Sequence, residues 1–222
     1  MWRDGAGRVA DLGDTTLAHQ VYVQLKERIV SLALPPGSTL READLQQELG
    51  IGRTPLRDAL QHLAHDGMLR IYPRRAILVA KLGLSEIRQL FEVRLALEPA
   101  AAALAAERLT ERGLQSLGAL QAELRESRER PDAASFLRAD QVFHRAVASF
   151  AQNALLWEYI DHVQTLNLWL WNMYFEAHGV RGGDLFAHEP IVEALLRGDA
   201  RAAEAAMREH ITRSKEQLLA GF

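Results

Sequence analysis

One segment constrains the fold of this 222-residue chain more than any other: LQQELGIGRTPLRDALQHLAHDGML, residues 45–69. Two stretches of helical spacing meet there at Gly50-Ile51-Gly52, too close for anything but a tight turn. Leu40, Leu45 and Leu49 mark a short helix before the glycines. Leu56, Leu60 and Leu63 mark a second one, from about Thr54 to His65. Pro55 is tolerated in its first turn and Asp66-Gly67 closes it. Upstream, Tyr22, Leu25, Ile29 and Leu32 give a helix from about Leu17 that Pro35-Pro36-Gly37 stops. Downstream the period changes to two: Met68 to Tyr72 and Ala76 to Ala80 read as strands around Pro73-Arg74-Arg75. Three helices followed by a β-hairpin, over residues 17–82, is the order of a winged helix-turn-helix.

Everything after that reads as helix. Apolar spacing and breakers place helices near 85–107, 110–129, 133–151, 154–177, 185–197 and 199–219. Ser85, Thr110 and Asp132 are expected N-caps, and Gly198-Asp199 an end followed by a cap. Gly179 to Gly183 reads as a loop, and Pro99 is expected to start a new segment or kink the first helix. The expected fold is mainly α: a winged helix-turn-helix over 17–82 joined to an all-α bundle over 83–222. Residues 1–16, rich in Gly and Asp without periodicity, read as a mobile leader.

Composition excludes several classes. With 48% hydrophobic and 25% charged residues the chain has apolar mass for real cores, so disorder is not its main state. Zero cysteines remove disulfides, iron–sulfur clusters, thiolate zinc sites and cysteine nucleophiles together. The alanine-rich run Ala100 to Ala106 is far too short to span a bilayer, and Met1-Trp2-Arg3-Asp4 opens no apolar leader run. A cytoplasmic protein without a membrane partner is expected.

Charge separates the two halves. Residues 17–82 hold 9 Lys and Arg against 6 Asp and Glu, whereas residues 83–222 hold 15 against 20. A basic front on an acidic back points a polyanion at the front only. On the second helix of the motif, Arg53, Thr54, Arg57 and Gln61 lie away from the centre of the leucine stripe. A helix buried on one side and armed with arginines on the other suits a major groove, where guanidinium groups reach guanine edges or phosphates. Arg74 and Arg75 sit at the hairpin tip, placed to touch a neighbouring backbone or groove. Double-stranded DNA is the partner this implies; a merely solvated face is the alternative for any single arginine.

In the bundle, Asp140 and His144 are four apart and project from one helix face. His188 opens a later helix and His210 lies in the middle of the last. One carboxylate and three imidazoles form a ligand set for zinc and other divalent first-row metals. Spacing alone leaves a second reading open, in which the pair is surface-exposed and the other histidines only pack. The aromatic-rich stretch Leu155 to Ala177 puts Asn167, Trp171 and Tyr174 on one face, able to line a cavity or to form core or dimer surface. His162 and His178 read as surface or packing residues.

These motifs resemble the GntR family of transcription regulators, in the FadR subgroup that joins a winged helix to a helical FCD ligand-binding domain. The front resemblance rests on Pro36-Gly37-Ser38-Thr39-Leu40, on Gly52-Arg53-Thr54-Pro55-Leu56-Arg57-Asp58-Ala59-Leu60 and on Asp66-Gly67-Met68-Leu69. The back resemblance rests on Asp140-Gln-Val-Phe-His144, on His188-Glu-Pro-Ile-Val-Glu-Ala194 and on Met207-Arg-Glu-His210. It implies a homodimer reading a near-palindromic operator, most often as a repressor. It also implies that Asp140, His144, His188 and His210 ligate one divalent ion, zinc by default, with nickel, manganese or iron open. A small carboxylate effector is implied at that ion, met by Arg94 of Arg94-Leu-Ala-Leu-Glu98; a plain Arg–Glu pair four apart is the alternative for Arg94. The chain departs from the family at Gly52, where Ser or Thr is usual, and at Ala76, where a wing glycine is common. Ala43 stands where the fatty-acid-responsive member has arginine.

Two rivals come from other classes. A metal-dependent enzyme could use the Asp/His set with Glu189 as acid or base. A plain dimerisation module would keep the histidines as structural groups.

Overall fold

The computed structural model describes residues 16–129, 133–179 and 187–221, which divide into two compact units between Leu82 and Gly83. The leader expected over 1–16 lies outside the described residues except for Thr16, whose Oγ1 accepts the His19 N–H at 3.3 Å and caps the first helix.

The smaller unit runs α1 (Leu17–Val30), β1 (Thr39–Leu40), α2 (Glu42–Leu49), α3 (Arg53–His65), β2 (Leu69–Tyr72) and β3 (Ala76–Val79). The helical stripes explain its core: Leu25 and Ile29 of α1 and Leu56, Leu60 and Leu63 of α3 are all fully buried, and α1 packs on α3. The Tyr22 hydroxyl donates to Asp66 Oδ2 at 2.6 Å, tying α1 to the end of α3. Gly50 ends α2 at φ 63°, a left-handed conformation that lets α3 begin three residues later. The sheet is antiparallel in the order β1-β3-β2, with Leu69 opposite Val79 and Tyr72 opposite Ala76.

Leu40 corrects one expectation. It lies in β1 opposite Ile77 rather than in the second helix, which starts at Glu42. The Pro35-Pro36-Gly37 turn delivers the chain onto β3, where the Gly37 N–H donates to the Val79 carbonyl and the Val79 N–H to Ser38. That pairing holds residues 39 and 40 extended.

The larger unit contains α4 (Leu84–Arg108), α5 (Glu111–Glu129), α6 (Ala133–Phe150), α7 (Ala154–His178), α8 (Glu189–Leu196) and α9 (Ala200–Ala220). α4 packs along α9 and also against α6, α7 and α8, so it is the central helix. Its cap is Gly83, not Ser85: the Glu86 carboxylate takes the Gly83 N–H at 3.0 Å. Thr110 and Asp199 cap as expected, accepting the Gly113 and Ala202 N–H groups at 3.2 and 3.0 Å. The expected cap Asp132 and residues 180–183 of the expected loop lie outside the described residues.

Pro99 neither starts a segment nor divides α4, which continues through it. A proline cannot donate to the carbonyl four residues back, and here that carbonyl, on Leu95, accepts from Arg208 Nη1 of α9 at 3.4 Å. The eighth helix is shorter than expected: Ala187 and His188 precede it, and it begins at Glu189 with Pro190 in its first turn.

Candidate metal centre and nucleic-acid interface

Asp140 and His144 share the inner face of α6 through their i, i+4 spacing. His188 sits just before the first residue of α8, and His210 is mid-helix in α9. The four side chains converge: each offers one ligand atom, and those atoms lie within 4.8 Å of one another. All four are buried, at 4%, 2%, 2% and 5% exposure. His144 Nε2 and His210 Nε2 are 3.1 Å apart, and Asp140 Oδ1 lies 3.1 Å from His188 Nε2 and 3.7 Å from His144 Nε2. Phe143 packs edge-on against His188, its ring centroid 4.5 Å away, so an apolar wall backs the cluster.

A second layer stands behind His144. Its Nδ1 is 2.5 Å from Glu98 Oε2, an ion-pair contact between buried groups. Glu98 Oε1 accepts from Arg94 Nε at 2.6 Å, and Arg94 Nη1 donates to Asn167 Oδ1 at 2.8 Å. The predicted residues Arg94 and Asn167 are thus brought together one step from the histidines. Trp171 and Tyr174 are buried further along α7, in an aromatic cluster with Phe175 and His178.

The electrostatics follow from burial and neighbours. Burial pushes the Asp140 carboxyl up, but His144 and His188 outweigh it and hold it well below the usual carboxylate range. Burial, then the charges of His188 and His144, push His210 well below an ordinary histidine. For His144 burial works downward, yet Glu98 and Asp140 raise it to about 9. For Glu98 burial works upward, yet Arg94 and His144 lower it to about 2. An ionised Asp140 and a neutral His210 are the forms that donate electron pairs to a cation, so the donor set fits a divalent ion once His144 yields its proton.

In the smaller unit, Arg53, Thr54, Arg57 and Gln61 are all exposed on α3, opposite Leu56, Leu60 and Leu63. Arg74 and Arg75 are exposed at the hairpin tip, Arg74 with φ 61° and the Arg75 N–H donating to the Tyr72 carbonyl at 3.0 Å. Gly52 caps α3 with no side-chain acceptor, as expected from the missing Ser or Thr.

Sequence reading misses one residue and one contact. Glu42, in the first turn of α2, reaches both arginines of α3: Arg57 Nε is 3.2 Å and Arg53 Nε 3.7 Å from its Oε2. Glu98 was legible as the i, i+4 partner of Arg94, but nothing local signals its contact with His144 on α6.

Comparison with known proteins agrees with both halves. Residues 17–79 match the family "Bacterial regulatory proteins, gntR family", and residues 89–213 match the FCD domain. The chain is 29% identical over 199 residues to the HTH-type transcriptional repressor RspR of Escherichia coli (strain K12), covering 90% of this chain and 87% of that protein. It is 30% identical over 201 residues to the "Probable D-xylose utilization operon transcriptional repressor" of Paenarthrobacter nicotinovorans, covering 89% and 86%. The solved structure of E. coli McbR/YncC superimposes with a TM-score of 0.79 at 26% identity, over 93% of this chain and 99% of that one.

Proposed function

This chain belongs to the gntR family of bacterial regulatory proteins and carries an FCD domain, and we propose that it is a repressor whose operator binding is set by a divalent ion and a small carboxylate held in the helical unit. The matched families and relatives are transcription regulators, which sets aside the metal-dependent enzyme. Repression is carried over from the relatives named as repressors.

DNA reading is assigned to α3 and the wing. Arg53, Thr54, Arg57 and Gln61 enter the major groove, with arginines able to take guanine O6 and N7 or adjacent phosphates. Arg74 and Arg75 contact backbone or the next groove. Two copies related by a two-fold axis would place two such helices on half-sites about one helical turn apart.

The observation that carries the metal assignment is the convergence of Asp140, His144, His188 and His210 within 4.8 Å in a buried place. These four would hold the ion. When bound it would supply a Lewis-acidic centre able to attract and polarise a carboxylate oxygen. Zinc is the first candidate; nickel, manganese and iron use the same donors. Arg94, with Asn167, is assigned to the effector's carboxylate, and Trp171 and Tyr174 of α7 to its apolar contacts. The effector changes operator occupancy only through its differential affinity for the two states, typically worth about 1–3 kcal/mol.

Elemental analysis after zinc loading and exhaustive dialysis tests the ion. One zinc per chain is expected; zinc-free wild-type protein refutes the assignment.

A further inference from the structure

We infer that the metal-loaded centre selects an effector with a single negative charge, and that Glu98 is the residue that sets this number. The inference rests on the reading above, that the four ligands hold one divalent ion.

Among the described residues, the buried Arg, Lys, Asp and Glu side chains are three: Arg94, Glu98 and Asp140, at 1%, 2% and 4% exposure. All belong to one connected cluster, through Arg94 Nε to Glu98 at 2.6 Å, Glu98 to His144 at 2.5 Å and His144 to Asp140 at 3.7 Å. The neighbouring Arg145–Asp161 pair, 2.6 Å apart and about 30% exposed, neutralises itself. A histidine ligates through a lone pair, so His144, His188 and His210 are neutral when an ion is held. A divalent cation with Arg94 then gives three positive charges against two negative ones from Glu98 and Asp140. The centre is left with one uncompensated positive charge away from water, which is costly.

One carboxylate cancels it. A second would reverse the excess and would itself have to be desolvated without a partner. The remaining polar groups agree. Arg94 Nη2 is buried without a hydrogen-bond partner while Nε and Nη1 are engaged, so it is the donor left for an anion. Gln164, three residues before Asn167 on α7, is fully buried with neither amide atom hydrogen-bonded. An amide both donates and accepts, which suits a hydroxyl or carbonyl on the effector and gives a second carboxylate no balancing charge. The class indicated is a monocarboxylate with a neutral oxygen substituent. Glu98 is a specificity-determining residue, because removing its charge raises the excess to two.

Calorimetric titration of zinc-loaded protein with 2-hydroxybutyrate and malate tests this, since the acids share a hydroxyl and a carboxylate and differ by a methyl in place of the second carboxylate. Wild type should bind 2-hydroxybutyrate about tenfold or more tighter than malate, and Glu98→Gln should shift that ratio toward malate by about tenfold or more. Equal or tighter binding of malate by wild type, an unchanged ratio in Glu98→Gln, or no binding of either acid overturns the inference while leaving the metal assignment standing. Wild type that retains no zinc removes the metal assignment and this inference together. If Glu98→Gln does not fold, Arg94→Gln supplies the second arm: it leaves the loaded centre neutral and should retain zinc but lose affinity for 2-hydroxybutyrate about tenfold or more. Unchanged affinity there overturns the inference.

Discussion

Glu42 Oε2 lies 3.2 Å from Arg57 Nε, so the first turn of α2 holds an arginine that projects from the exposed face of α3. The pair sits at the surface, with side chains 51% and 29% exposed, and such pairs are worth about 0.2–1 kcal/mol to folding. Its contribution is therefore to direction rather than stability. Arg57→Ala should cost about 1–3 kcal/mol in operator binding while the melting temperature stays nearly unchanged. A parallel loss of folding in the circular-dichroism melt would remove the contact role from Arg57.

Gly52 begins α3 with no side-chain acceptor for the helix's free N–H groups. Gly52→Ser should supply one and add a few tenths of a kcal/mol, because glycine is already a fair cap. Its hydroxyl should also strengthen binding to any duplex if the start of α3 faces a phosphate. Stability and DNA affinity both unchanged would mean that neither role is latent at this position.

His144 links the two layers of the helical site, facing His210 through Nε2 and Glu98 through Nδ1. Zinc should raise the melting temperature of wild type, by the equivalent of about 2.7 kcal/mol at one hundred times the dissociation constant. His144→Ala should bind no zinc and show no such rise. A full thermal shift in that variant would exclude His144 as a ligand.

The metal-free protein should lose stability at alkaline pH. Glu98 and Asp140 hold His144 at about 9, above its unfolded value of about 6.5. A group raised on folding contributes fully below its unfolded pKa, and that contribution fades as pH climbs through the folded one. Glu98 has the opposite sign: lowered to about 2, it contributes above its unfolded value of about 4.3 and loses that as pH falls through about 2. The urea midpoint of chelator-treated wild type should therefore drop between neutral pH and about 10, and His144→Gln should flatten the drop. Parallel curves for the two proteins would show that His144 does not carry the dependence. Zinc loading near neutral pH should release about one proton, since His144 must become neutral to ligate.

How much of this was legible depends on the range of the forces involved. The stripe Leu56, Leu60, Leu63 and the glycines at 50 and 52 are local signals, and the helix-turn-helix follows from them directly. β1 is two residues long, too short for any period, and exists because β3 is there to pair with it. Pro99 reads as a break because the partner that takes the Leu95 carbonyl, Arg208, is 113 residues from it in sequence. The ligand set illustrates the same limit. Asp140 and His144 declare themselves by spacing, His188 and His210 join them as a candidate donor set that only the family pattern ties to one ion, and the Glu98–His144 contact follows only from the packing of α4 on α6.

The most direct test of the central claim is fluorescence anisotropy of the zinc-loaded protein on DNA fragments flanking its own gene, titrated with salt beside a scrambled control. A sequence-specific repressor should bind one fragment tightly, lose affinity steeply with salt through counterion release and be released by a 2-hydroxy monocarboxylate. Equal, weak binding to every fragment, unmoved by metal or acid, would contradict the account.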